Sequence, residues 1–96
     1  MNADPRMQWN SIRAAQKAGP LQSLTPRKLA LDELPVAIYP YRRQQKVRAW
    51  VRFGPEAIRV YAKIVRSTAL AAGIEVRCED ETLRCWVWGN VVQLDE

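Results

Sequence analysis

The sequence contains no histidine and only two cysteines, Cys78 and Cys85. The first absence removes the side chain that most often acts as general base, general acid or metal ligand near neutral pH. Two thiols alone complete neither a disulfide framework nor a four-ligand zinc site. The four glycines stand singly, so there is no glycine-rich loop to cradle a phosphate. No apolar run approaches the length of a membrane span. The first residues carry Asp4, Arg6 and Arg13 in place of the apolar stretch of a signal peptide. These absences predict a cytoplasmic protein without membrane contact, catalytic machinery or cofactor. The acids Glu79, Asp80 and Glu81 form one cluster, but a hard cation there would need further oxygen ligands. The cluster is read as a solvated loop.

What is present is a short, basic, moderately apolar chain. Its 96 residues hold 48% hydrophobic side chains, enough for one folded unit and no second. The net charge of +5 is unevenly spread. Residues 1–53 carry ten basic side chains against three acids, a net of +7, and the remainder nets −2. A basic arm on a near-neutral body suits a polyanion such as nucleic acid, or an acidic protein surface. The same charge also serves to keep a small domain soluble.

Periodicity divides the chain near residue 46, giving an N-terminal extension over 1–45 and a folded body over 46–96. Met1 to Pro20 is polar and is read as a mobile arm with at most one short helix, capped at Asn10 or Ser11 and running from Ile12 to Ala18. Thr25-Pro26 is a helix start, an N-cap residue followed by proline at the first helical position. That helix is expected to pass Leu29 and Leu31 and stop before Pro35. Val36 to Tyr39 reads as a short strand, at an edge because Pro40 has no N–H to donate.

In the body, Val47, Ala49, Val51 and Phe53 alternate with Lys46, Arg48, Trp50 and Arg52, the period of a half-buried strand. Ile74, Val76 and Cys78, then Leu83, Cys85 and Val87, alternate in the same way around the polar loop Glu79 to Thr82. This is a hairpin with the cysteines on its inner face. The stretch from Ala57 to Arg66 admits two readings. Pro55, Glu56 and Gly73 are good punctuation for a helix over 55–72, which would pack on an antiparallel sheet in an α+β fold. That helix would carry Arg59, Lys63 and Arg66 as a stripe suited to a duplex groove. The β-branched residues and Tyr61 favour a strand instead, and the strand is preferred.

From Val47-Arg48-Ala49-Trp50-Val51 to Trp86-Val87-Trp88-Gly89-Asn90-Val91-Val92 the chain resembles short actinobacterial proteins of unknown function. The resemblance covers about residues 46–94. It implies a mainly β fold, a small SH3-like five-stranded barrel with a tight turn at Gly89-Asn90-Val91 and a last strand at Val92 to Leu94. One or two short helices would lie in the N-terminal extension. The sequence departs from the pattern at Ala69 to Gly73, expected as a longer loop. The motif of RNA-binding ribosomal and transcription-factor SH3-like domains is not recognisable.

On such a sheet the outward side chains are Arg48, Trp50 and Arg52, then Arg59, Tyr61 and Lys63, then Arg84, Trp86 and Trp88. Arg42, Arg43 and Lys46 add charge where the first long strand begins. Rings interleaved with cations are what single-stranded nucleic-acid binders use, bases stacking while Arg and Lys meet phosphates. These twelve residues are the expected nucleic-acid-binding face of an accessory protein. The alternative is an adaptor that holds a peptide or partner protein on the same rings. Against both stands a packing role. Leu21, Leu24, Leu29, Leu31 and Leu34 could fold back over Trp50, Trp86 and Trp88.

Overall fold

The computed structural model describes residues 5–94. The first four residues of the expected arm and the last two of the body lie outside them. The chain runs through α1 (Pro5–Gln16), α2 (Pro26–Leu29), β1 (Ala37–Ile38), a 3-10 turn (Tyr41–Arg43), β2 (Gln45–Phe53), β3 (Glu56–Ser67), β4 (Ala71–Cys78), β5 (Glu81–Trp88), a second 3-10 turn (Gly89–Val91) and β6 (Val92–Leu94). The fold is mainly β. Its antiparallel sheet has the order β5-β4-β3-β2-β6, with β1 paired to the far end of β3. No helix among the described residues is long and apolar enough to cross a membrane.

The strand reading of 57–66 holds, and with it the helix over 55–72 and its basic stripe are set aside. β3 pairs along the whole of β2, from Gln45 opposite Ile64 to Phe53 opposite Glu56. Alternation then does what a pleated strand requires. Val47, Ala49, Val51 and Phe53 are all buried, and Val60 and Ala62 face them from β3. A bulge at Val65 shifts the β3–β4 register between Ile64 and Arg66. Bulges add local twist, and this one keeps Arg66 on the outer face beside Gly73.

Three expectations need correction. The loop at Ala69 to Gly73 is instead a tight turn. Thr68 N–H donates to Ala71 O at 2.9 Å, while Thr68 Oγ1 accepts from Leu70 N–H and Ala71 N–H at 3.2 and 3.1 Å. One threonine thus supplies the turn chemistry, and β4 starts at Ala71. The second helix does start where Thr25 predicts, with Thr25 Oγ1 accepting from Lys28 N–H at 3.3 Å, but it lasts one turn. Ala30 takes the left-handed conformation (φ 51°), which stops it before Leu31.

The third correction is the largest. The first helix is twelve residues long, starts at Pro5 and ends before Lys17. It is docked on the body. Ile12 is fully buried and Ala15 nearly so, in one cluster with Val47, Phe53, Ile74 and Cys78, and Trp9 packs against that cluster. The core therefore crosses the division at residue 46. Polar contacts fix the pose. The Gln8 carboxamide donates to Tyr61 O at 3.0 Å and accepts from Tyr61 N–H at 2.7 Å, satisfying backbone groups of β3 beyond its last pair with β4, Lys63 opposite Glu75. At the other end Arg13 reaches Glu79 at 3.2 Å and Glu81 at 3.6 Å across the β4–β5 turn.

Between α1 and α2 the chain crosses the open side of the sheet. Gly19 and Gly54 meet backbone to backbone, so close that a Cβ on Gly54 would lie 2.5 Å from Ala18 O. Leu21 bridges Phe53, Gln22 N–H donates to Arg52 O at 2.9 Å, and Leu24 N–H donates to Trp86 O at 3.0 Å. This crossing segment runs from the end of β2 to the free edge of β5.

Candidate functional site

The crossing segment forms one wall of a groove of about 490 Å³. Trp50 and Arg52 come from β2, Trp86 and Trp88 from β5, Leu24 from the crossing segment and Lys28 from α2. Trp50 alternates with the buried Ala49 and Val51, so the pleat sends its indole outward, and the same logic applies to Trp86 and Trp88 around Val87. Trp86 is further held in place. Ser23 Oγ accepts its backbone N–H at 2.8 Å, and its ring lies over Gly73, where a Cβ would stand 3.4 Å from the indole. A Cβ there would touch the ring in ordinary van der Waals contact and crowd the Arg66 Cβ at 3.3 Å, so a side chain longer than alanine would press on the indole.

The N-terminal segment therefore covers the tryptophans only in part. Trp86 is half-buried under it, whereas Trp50 remains 51% and Trp88 40% exposed. Trp50 and Trp88 thus leave indole surface open to solvent in the groove that both line. Among the described residues Lys28 and Arg52 are the charged groups lining the groove, and no carboxylate does. A ligand with flat apolar faces and negative charge matches this lining.

The twelve residues expected on one face are distributed over it, and only four of them, Trp50, Arg52, Trp86 and Trp88, line the groove. Arg59 stands opposite Trp50 on β3 and hydrogen-bonds Gln93 of β6. Arg48 is half-buried over the Tyr61 ring, its guanidinium carbon 5.0 Å from the centroid. Lys63 sits 4.6 Å above the centre of Tyr41. These cations lie against rings of their own protein. Arg84 pairs with Glu75 across β4 and β5 at 3.0 Å. Arg42, Arg43 and Lys46 are exposed at the start of β2. From Lys46 to Arg52 is six strand residues, about 20 Å at ~3.3 Å per residue. The aromatic groove and the densest charge are thus at opposite ends of β2.

Leu24 and Lys28 were not singled out as site residues from the sequence. Thr25-Pro26 announces the helix that carries Lys28. What joins it to Trp86 is a pair of hydrogen bonds between residues some sixty positions apart, for which the sequence has no local signal.

The remaining reactive groups are inside. Cys78 and Cys85 are buried and free. Burial pushes the Cys85 thiol up to about 11 and raises Cys78 as well, with Arg13 partly opposing the latter. A nucleophilic cysteine needs the opposite shift. No cluster of three or more metal-ligating side chains occurs among the described residues. Compared with models of protein families, with curated proteins and with solved structures, the chain matches none.

Proposed function

We propose that the chain is a small, non-catalytic, cytoplasmic module that binds single-stranded nucleic acid in the tryptophan groove. The observation that carries this reading is the lining itself: three indoles with Lys28 and Arg52 beside them and, among the described residues, no acid. Stacking on tryptophan requires unpaired bases, because a base inside a duplex offers no free face. The exposed Arg42, Arg43 and Lys46 extend the positive surface along β2 for a strand that continues past the groove. The proposal includes an SH3-like small barrel as the scaffold. The strand order β5-β4-β3-β2-β6 and the 3-10 turn before β6 support that, as does the crossing segment between the edges of β2 and β5.

The test is binding of a fluorescently labelled single-stranded octanucleotide as salt is raised. With Arg52, Lys28 and one further cation on phosphates, log K should fall against log salt with a slope of about −2, at roughly −0.7 per neutralised phosphate. The double substitution Lys28→Glu and Arg52→Glu should abolish binding at low salt. A slope near zero would favour the second reading, an extended or proline-rich peptide held by the rings. The apolar residues Leu24, Val51, Val87 and Val91 in the same groove are the observation behind that alternative.

A further inference from the structure

On the other side of Trp50 lies a second hollow of about 320 Å³, lined by Trp50, Arg59, Asn90, Val91, Val92 and Gln93. Trp50 and Val91 line both hollows, so the two adjoin across one indole. Their chemistry differs. The first offers rings and cations, which hold any base. The second offers one ring face, two valines and three polar side chains with directional hydrogen-bonding capacity.

Two of those polar groups, Arg59 and Gln93, are biased towards donation. Gln93 Oε1 is occupied by Arg59 Nη2, which leaves the Gln93 amide N–H groups free to donate. The same contact anchors the Arg59 guanidinium on the sheet beside its cross-strand neighbour Trp50. Its other N–H groups remain as donors in a fixed fork. Asn90 follows Gly89 in the turn before β6, is exposed, and its carboxamide has no hydrogen-bond partner among the described residues. A base laid on Trp50 here would meet two donor groups side by side, with Asn90 as a third contact at the rim. Guanine presents two adjacent acceptors, O6 and N7, on one edge, and a guanidinium is their commonest specific partner. Adenine and cytosine place an amino donor next to their ring acceptor, which this edge would leave facing another donor.

We infer that the Trp50–Arg59–Asn90–Gln93 hollow is a base-reading subsite that selects guanine in a single strand. This rests on the nucleic-acid reading of the neighbouring groove. The groove would supply affinity and the subsite identity.

The experiment uses the full chain and labelled oligouridine octamers in which one central position is U, A, C or G. The expected result is about ten-fold tighter binding of the G-containing octamer than of the other three, the usual worth of a two-point base contact. Gln93→Ala and Asn90→Ala should each shrink that ratio towards one. The ratio, not the overall affinity, is the readout. Equal affinity for the four octamers would overturn the inference and make the hollow a phosphate contact. So would a guanine preference that survives Gln93→Ala. Absence of binding to every octamer at low salt would overturn the groove reading itself, so the two failures are distinguishable.

Discussion

Ile12→Ala tests whether the N-terminal helix belongs to the core. Ile12 has no exposed surface and lies in the same cluster as Val47, Phe53 and Ile74. The substitution removes three carbons. At about 0.8 kcal/mol per buried methylene this is roughly 2.4 kcal/mol of transfer free energy. Neighbours on the sheet cannot collapse freely onto the vacated space, so a cavity term adds to it, giving about 3 kcal/mol in total. Alanine's better helix propensity returns only a few tenths. A domain of this size has about 5–14 kcal/mol of stability at the usual 0.05–0.15 kcal/mol per residue, so the loss is a large share. Urea unfolding followed by tryptophan emission and by circular dichroism measures it. With a slope of about 1.5 kcal/mol/M the midpoint should drop by about 2 M. Ile12→Val should cost about 1 kcal/mol. Ser11→Ala, on the exposed side of the same turn, should stay within about 0.5 kcal/mol. An Ile12→Ala protein within about 0.5 kcal/mol of the parent would refute the reasoning and return the helix to the status of a loose arm.

Two further outcomes follow from the packing. Gly54→Ala should destabilise strongly, because Gly54 has φ 57° and its Cβ would stand 2.5 Å from Ala18 O; a variant as stable as the parent would mean that the crossing segment is not seated against β2. Burial holds Cys85 at about 11 and raises Cys78, so both thiols should react slowly with a thiol reagent at pH 8 in the native protein and rapidly in urea; fast native labelling of either would contradict their burial.

The sheet was legible in the sequence because its information is local. Period-two alternation in Val47 to Phe53 and in Ile74 to Val87 fixes which side chains face inward. The β-branched run after Ala57 outweighed the helix punctuation around it. Of the first helix only the part from Ile12 onward was legible; its start at Pro5 and its docking on the sheet were not, because its buried stripe is narrow. Trp9, Ile12 and Ala15 recur every three residues among polar neighbours, and alanine carries almost no hydropathy signal. Its anchors, Gln8 on the Tyr61 backbone and Arg13 on the β4–β5 acids, join positions 53 and 66 apart. The candidate site divides along the same line. Exposure of Trp50 and Trp88 follows from alternation. Separation of the groove from the Arg42, Arg43 and Lys46 cluster, the wall made by Leu24 and Lys28, and withdrawal of Arg84 into a pair with Glu75 are tertiary facts. Patterning predicted a face, and packing cut that face into a groove, a neighbouring hollow and a distant basic patch.

The measurement that bears most directly on the central claim is tryptophan emission during titration with a single-stranded octanucleotide at low salt. Trp50 and Trp88 are the exposed indoles, so stacking should quench a substantial part of the emission, and added salt should restore it. Trp88→Ala should weaken binding by about 1–3 kcal/mol, the worth of one stacked base, with little change in the urea midpoint. The contradicting result is emission that does not respond to nucleic acid, together with a Trp88→Ala protein destabilised by about 3–5 kcal/mol, the cost of truncating a core tryptophan. The aromatic face would then be packing, and the groove would not be a binding site.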